Sequence, residues 1–183
     1  MTETKDKLIK IDSVSAIPNQ YEDTPIGLLL KYHNLGKPLI KYSSAQILIG
    51  MCMDNRKHLT IPDNFAFIIR TAGANMRDSE FKMSYAIAVG GVKHIALIGH
   101  NNCGMVDLNS RKDIFIEGMI NNAGWTREAA IDLFEKNEPL SEIHNEADFI
   151  LNETARLREK FPKIQIAPML YLVEDNKLYL IKE

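Results

Sequence analysis

The chain has 183 residues, of which 45% are hydrophobic and 25% are charged, and this composition is typical of one globular domain. Its 22 basic and 24 acidic residues give a formal charge of -2, without a basic cluster long enough to follow a nucleic-acid backbone. No apolar run approaches the roughly 20 residues that cross a bilayer. Neither nucleic acid nor a membrane is therefore an expected partner.

The first residues and the cysteines bear on the cellular compartment. The sequence begins MTETKDKLIKIDS, which is charged and lacks the apolar core of a signal peptide. Cys52 and Cys103 are the only cysteines, and a reducing compartment disfavours a permanent disulfide between them. We therefore expect a cytoplasmic protein whose two thiols bind a metal, react or simply pack.

The first predicted element is a short helix after an irregular start. Residues 1–22 look loosely organised, and Thr24 followed by Pro25 then supplies an N-cap and a first-turn proline. We accordingly divide the chain into an N-terminal arm, 1–23, and a single domain, 24–183, which includes this helix.

Three apolar segments that follow predict strands, each too uniformly apolar to have a solvent-exposed face. They are residues 46–52, 65–71 and 94–100. Between the second and the third, Asp78 or Ser79 can begin a helix that Gly90 and Gly91 end. A helix of that length between two strands predicts a right-handed crossover and a parallel sheet.

The second half of the chain predicts helices and then two strands. Residues 105–138 are mostly helical, with Thr126 as an N-cap, and Pro162 ends a long helix with one mostly apolar stripe. The stripe consists of Ile143, Ala147, Ile150, Thr154, Leu157 and Phe161. The final strands, 164–173 and 177–181, are joined by a turn. The predicted fold class is therefore α/β, with a central, mostly parallel sheet that has an antiparallel edge and flanking helices.

Reactive side chains follow the first and the third of the predicted strands. Cys52 ends the first strand, and Asp54 and Arg56 follow at every second position, which an extended chain would place on one face. His100 and Cys103 end the third strand with two residues between them. Because the carboxyl ends of parallel strands lie at one edge of a sheet, we expect the two groups to converge there.

Two thiolates and one imidazole are a donor set suited to Zn²⁺. Three protein ligands, Cys52, His100 and Cys103, would leave a fourth position for water, whose pKa zinc lowers from about 15.7 to around 7. Asp54 either takes that position itself or pairs with the planar fork of Arg56 and accepts a hydrogen bond from a metal-bound hydroxide. The sequence leaves both possibilities open.

Simpler explanations of these residues also stay open. Cys52 alone would be a small buried hydrophobe, and a disulfide would not explain the other polar groups. A closed structural zinc site ordinarily has more Cys or His ligands, and Asp54 with Arg56 could be a surface ion pair worth about 0–1 kcal/mol. The remaining histidines lie outside any metal-ligand spacing, although His58 is near enough in sequence to be considered as a proton carrier. These are His33, His58, His94 and His144.

Together, CMDNR and GHNNCG resemble the C-x-D-x-R and H-x-x-C motifs of the β-class carbonic anhydrases. The resemblance continues through FIIRTAGA and SYAIAVGGVKHIALIGH to the final strands, and it covers most of the chain after the first helix. It implies a mostly parallel sheet flanked by helices, a homodimer or higher assembly of dimers, and one zinc per subunit.

The resemblance also assigns roles by position. Cys52, His100 and Cys103 match the zinc ligands of the family, while Asp54 and Arg56 match a catalytic dyad that either leaves zinc open or lets the aspartate close the site. The implied reaction is the reversible hydration of CO₂ to bicarbonate, in which zinc-bound hydroxide attacks the carbon. Asp54 would orient that hydroxide, and Arg56 would hold Asp54.

Departures from the family pattern keep alternatives open. Thr71 and Ala74 stand where the family usually has asparagines, so two amides that can hold the loop beside the metal are lost, and a glycine often found in the final strands is missing. One alternative is a related zinc hydrolase of CS₂ or COS that uses the same five residues. Another is a non-catalytic zinc-binding or sensor protein of the same fold. A thiol oxidoreductase is disfavoured because its cysteines usually form C-x-x-C.

Overall fold

The computed structural model describes residues 7–183. Six strands in this part of the chain form one central sheet. Its strands are β1 (Leu8–Lys10), β2 (Ile47–Cys52), β3 (Ala66–Thr71), β4 (His94–His100), β5 (Gln165–Leu172) and β6 (Lys177–Ile181). The strand order is β1-β6-β5-β4-β2-β3. Strands β3, β2, β4 and β5 run parallel, and β6 and β1 add antiparallel pairs. The mostly parallel sheet with an antiparallel edge, predicted from the sequence, is confirmed.

The described residues form six α-helices, of which the fourth and fifth pack mainly against each other and the others lie against the sheet. The helices are α1 (Asn19–Glu22), α2 (Pro25–His33), α3 (Glu80–Ala88), α4 (Lys112–Ala123), α5 (Arg127–Ser141) and α6 (Glu146–Lys160). Alternate residues of β2 point to opposite faces, so Ile49 packs in a core with α2 whereas Leu48 and Cys52 belong to a second core with α3 and α6. No helix within 7–183 is both long and apolar enough to span a membrane.

Helices α2 and α5 begin at the capping residues that the sequence indicated, whereas Ser79, which precedes α3, makes no side-chain capping hydrogen bond. The Thr24 hydroxyl accepts the Ile26 N–H at 3.2 Å, and the Thr126 hydroxyl accepts the Ala129 N–H at 3.2 Å. The predicted long helix is α6, which ends at Lys160, just before Pro162. Within this helix the stripe is buried, and the helix packs against β4 and β5. Ile143 precedes the helix and bridges to Val106, and Phe161 follows the helix and is partly buried.

The expectation that every strand is buried on both faces is wrong for β3. Phe67 and Ile68 are 38% and 47% exposed. In the described chain β3 lies at the edge of the sheet, where it pairs only with β2. Apolar periodicity indicates that a strand packs against something, but it does not reveal whether the partner belongs to the same chain.

The N-terminal segment contains a strand that the sequence did not predict. Within the predicted arm, 1–23, β1 pairs with β6 in the register Leu8↔Ile181, and α1 follows. Residues 1–6 of the arm lie outside the described residues. The division into an arm and one domain, 24–183, stays a prediction.

Candidate metal centre

The candidate site lies at the carboxyl ends of β2 and β4, which are adjacent and parallel. Cys52 is the last residue of β2, His100 is the last residue of β4, and the loop after β4 returns Cys103 to the same place. One ligand atom from each of the three residues, a sulfur or a ring nitrogen, lies within 4.8 Å of the other two. The structure therefore brings together three donors from distant parts of the sequence.

One ring nitrogen of His100 is hydrogen-bonded to the backbone, and the other has no hydrogen-bond partner among the described residues. Its Nδ1 lies 2.8 Å from the Asn101 carbonyl oxygen, and since a carbonyl only accepts, Nδ1 carries the proton. Nε2 then presents a lone pair, and within 7–183 this buried atom has no hydrogen-bond partner. A buried polar atom without a partner is unfavourable unless something else binds it. This orientation is the usual one for a metal-binding histidine.

The two cysteines are buried, free and adjacent. The hydrogen bond between the thiols lowers the pKa of Cys52, and the same bond together with burial raises the pKa of Cys103. The shared hydrogen bond therefore favours loss of the proton from Cys52 over loss from Cys103, and the two thiols do not form a disulfide. With the free Nε2 of His100, this donor set fits Zn²⁺.

Asp54 and Arg56 form a dyad beside these donors. Strand β2 stops at Cys52 and residues 55–56 form a turn, so the extended alternation expected from the sequence does not reach Arg56. The turn instead lets the Arg56 backbone N–H donate to Asp54 Oδ1 at 2.9 Å. The guanidinium donates from Nε to Oδ1 at 3.0 Å and from Nη2 to Oδ2 at 2.6 Å. These bonds hold the pKa of Asp54 well below its usual range.

The dyad is also connected to the loop that carries the other donors. Arg56 Nη2 donates to the Asn102 carbonyl oxygen at 2.9 Å, between His100 and Cys103. Asp54 Oδ2 lies 3.8 Å from His100 Nε2. Asp54 is not a member of the three-residue donor group. Its service as a fourth metal ligand stays a prediction.

Three charged residues that support this centre were not indicated by the sequence. Lys57 is fully buried, and its Nζ donates to the Asp54 carbonyl oxygen at 3.1 Å. Arg70 Nη1 lies 3.4 Å from the carbonyl oxygens of Cys52 and Asp54. Glu146, in the first turn of α6, accepts the Cys103 N–H at 3.3 Å. Because charged residues usually lie at the surface, sequence periodicity gives no signal for such roles.

The remaining histidines stay outside the donor group formed by the described residues. His58 is exposed, and His33 packs near Tyr171 with a ring centroid distance of 5.7 Å. Two of the departures from the family pattern lie close to the centre. Thr71 pairs with Cys52 between β3 and β2, and Ala74 packs in the same apolar cluster as Cys52 and Cys103.

Comparisons with known proteins agree with this architecture. The model of the family described as "Carbonic anhydrase" matches residues 47–178, well over half of the chain. A carbonic anhydrase from Glaciozyma antarctica is 23% identical, with a TM-score of 0.60 over 90% of this chain and 95% of that chain. The β-carbonic anhydrase isoform I from Trichomonas vaginalis is 22% identical, with a TM-score of 0.63 over 81% and 90%.

Another similar structure is that of a hydrolase named for a different substrate. An apo form of a carbon disulfide hydrolase is 23% identical, with a TM-score of 0.53 over 75% of this chain and 79% of that chain. No protein of curated function matches the chain by sequence. Identities this low show a common fold alone, whereas the family match spans both halves of the donor group. The chain therefore belongs to the carbonic anhydrase family and has the β-class fold.

Proposed function

We propose that the protein is a zinc-dependent carbonic anhydrase that catalyses the reversible hydration of CO₂ to bicarbonate and a proton. The observation that carries the proposal is the convergence of Cys52, His100 and Cys103 within 4.8 Å, next to the Asp54–Arg56 dyad. Zinc, when bound by these three residues, would act as a Lewis acid that lowers the pKa of a bound water to about 7.

The protein residues around the three ligands restrict their orientation. The Asn101 carbonyl oxygen fixes the tautomer and ring direction of His100, and Glu146 holds the backbone N–H of Cys103. Such partners of metal ligands typically contribute 10–100-fold to metal affinity or activity. The donor geometry is therefore largely preorganised by the fold.

Asp54 is suited to orient a hydrogen-bond donor at the centre. Arg56 holds the carboxylate through the Nη2 contact at 2.6 Å and keeps its pKa low, so Asp54 remains ionised near neutral pH. An ionised carboxylate accepts hydrogen bonds and does not donate them. Asp54 would thus orient the attacking group, and Arg56 would act through Asp54.

A related zinc hydrolase of CS₂ or COS is the second candidate. It is favoured by the fold shared with the carbon disulfide hydrolase, and the same five residues would serve the reaction. The carbons of CS₂ and COS are electrophilic like that of CO₂. Pocket access would therefore decide the substrate.

The assembly that fits the exposed surface is a homodimer. Phe81 and Tyr85 of α3 and Val89, which caps its end, are 83%, 56% and 67% exposed and lie four residues apart on one side of the helix. At the end of the same helix, a Cβ on Gly90 would lie 2.5 Å from the exposed Phe67 ring of β3. A contiguous apolar patch of this kind is typical of an interface. A second copy of the chain is its proposed partner, and a cytoplasmic location remains a prediction.

Metal analysis coupled to stopped-flow assays tests the proposal. We expect one zinc per chain, CO₂ hydration over a pH series, and loss of zinc in Cys52→Ala and His100→Ala. His58→Ala, which changes an exposed histidine, is the matched control and should keep its zinc. Sulfide release from CS₂ or COS without CO₂ hydration would favour the hydrolase. Zinc without either activity would indicate a sensor, and a chain that binds no zinc would contradict the proposal.

A further inference from the structure

The loop that follows β3 has an unfavourable backbone and lies in the core beside the metal centre. Gly73 and Ala74 have φ values of 61° and 62°. The left-handed region suits glycine, but a residue with a Cβ rarely adopts it. Ala74 and Met76 are fully buried in the same apolar cluster as Cys52 and Cys103. Something outside the loop must therefore hold it in this conformation.

The loop contacts both segments that carry the cysteines. A Cβ on Gly50, two residues before Cys52, would lie 3.1 Å from the Met76 side chain, so that side chain covers β2 closely. A Cβ on Gly73 would lie 3.4 Å from the side chain of Met105, two residues after Cys103. A displacement of the loop would consequently be transmitted to both sulfur ligands, because packed interiors leave little free volume.

The restraint on the loop comes from α6. The Met76 N–H donates to Glu153 Oε1 at 3.0 Å. Glu153 is 3% exposed and is the only buried acidic side chain among residues 7–183. A second restraint comes from α5, where the Leu140 carbonyl oxygen accepts the Asn75 side-chain N–H at 3.0 Å.

The charge of Glu153 is compensated within α6. Arg156 donates to Oε2 from Nε at 2.7 Å and to Oε1 from Nη2 at 2.8 Å, and it also pairs with Glu80 of α3. A buried ion pair is often no more stabilising than apolar residues of the same volume, so stability alone is weak grounds for its presence. The hydrogen bond from Glu153 to the strained loop beside the cysteines gives a specific reason for a buried ion pair at this position.

We propose that Glu153 is a positioning residue for the metal centre, which fixes the 72–76 loop through the Met76 N–H and thereby sets the spacing of Cys52 and Cys103. This inference rests on the proposed zinc site. It assigns Glu153 no contact with metal or substrate.

The test compares three variants of the full-length protein. Glu153→Leu removes the acceptor, and Glu153→Gln keeps an oxygen for the Met76 N–H. Glu80→Gln is a control that weakens the partly exposed end of the same ion-pair network. Zinc affinity is measured by competition with a chelator. The visible absorption of the Co²⁺-substituted protein reports the coordination geometry, and kcat and KM are measured separately.

We expect Glu153→Leu to bind zinc about tenfold more weakly, the lower end of the range for groups that orient metal ligands, with an altered cobalt spectrum and a reduced kcat. Glu153→Gln and Glu80→Gln should stay within about twofold of the parent. An unchanged affinity and spectrum in Glu153→Leu would overturn the proposal. An equal loss in Glu153→Gln or in Glu80→Gln would do so as well, because charge or general stability would then explain the effect.

Amide hydrogen exchange in the parent protein gives a second test that does not require Glu153→Leu to fold. We expect the Met76 amide to be protected as strongly as the amides of β2, with and without zinc. Rapid exchange in the folded parent would contradict the hydrogen bond on which the proposal depends. If the parent binds no zinc, the proposed function fails, but the exchange measurement still shows whether Glu153 restrains the loop.

Discussion

The chemistry of single residues at this centre depends on bonds made by their neighbours. Arg56 donates to both oxygens of Asp54, and its Nη2 also reaches the Asn102 carbonyl oxygen. A lysine at this position could not make these planar contacts at once, because its ammonium is a single point of charge. The dyad is therefore a positioned carboxylate and more than a surface ion pair.

Removal of the Asp54 carboxylate separates catalysis from metal binding. We expect Asp54→Ala to keep its zinc, because the three donors remain, and to lose CO₂ hydration activity by about 100-fold, the lower end of typical general acid–base contributions. Zinc content and stopped-flow rates check both results. Asp12→Ala is the control, since Asp12 is an exposed carboxylate that contacts Lys10 at 3.7 Å. Full activity in Asp54→Ala would exclude the carboxylate from the mechanism.

Sequence patterns predicted the three donors of the candidate site but gave no sign of the buried charged residues that support them. Cys52, His100 and Cys103 were predicted because unusual donors at strand ends form a recognisable spacing. Lys57 and Glu153 were missed because a buried charge that binds a backbone group looks like an ordinary surface residue in the sequence. The groups that they hold in place are backbone atoms, the Asp54 carbonyl oxygen and the Met76 N–H, which have no side-chain identity to read.

At the scale of secondary structure, the prediction succeeded for segments that are long enough to show a hydrophobic pattern and that have recognisable boundary residues. The predicted bounds of β4, 94–100, are the observed ones, and the long helix before Pro162 is α6. Strand β1 has three residues, too few for any period to be read, and its pairing with β6 joins distant parts of the chain. The position of β3 at the edge of the sheet likewise depends on the tertiary fold, which local sequence does not reveal.

The end of α2 contains a buried titratable group. His33 Nδ1 accepts the Thr60 N–H at 3.1 Å, and Nε2 has no hydrogen-bond partner among the described residues. Burial, together with nearby Lys177, lowers the pKa of His33 from 6.5 to about 4. The folded protein therefore keeps the ring neutral at pH values where an unfolded chain would protonate it.

This difference makes stability depend on pH. Because the folded pKa is the lower one, the contribution of His33 is complete above pH 6.5 and is lost as the pH falls towards 4. The loss is about 3 kcal/mol at most, at about 1.36 kcal/mol per pKa unit. We expect His33→Asn, which can keep an acceptor for Thr60, to lose less stability than the parent between these pH values. Urea unfolding at several pH values measures the difference.

The control for this prediction is His58→Asn, which changes an exposed histidine. Its unfolding should show the same pH dependence as the parent, since loss of zinc on acidification affects both proteins alike. A parent and a His33→Asn variant with parallel stability profiles would show that His33 is not the titrating group.

At the scale of the whole molecule, the sheet is covered unequally. Its central strands β2, β4 and β5 are buried. By contrast, β3 exposes Phe67, and α3 with its C-cap exposes Phe81, Tyr85 and Val89. An apolar helix face beside an edge strand buries a large area when it meets a second copy, because a twofold axis brings the same patch onto itself. The proposed dimer would thus complete the burial that the sequence of β3 indicated.

A charge in this patch should dissociate the dimer. We expect the parent to sediment as a dimer and Tyr85→Glu to weaken association at least tenfold, because the carboxylate would lose its water on binding without gaining a partner. Sedimentation equilibrium over a range of protein concentrations measures both. Lys163→Gln, which makes the same change in charge at an exposed position between α6 and β5, should remain a dimer. A parent that is monomeric, or a Tyr85→Glu variant that associates as tightly as the parent, would place the interface elsewhere or exclude it.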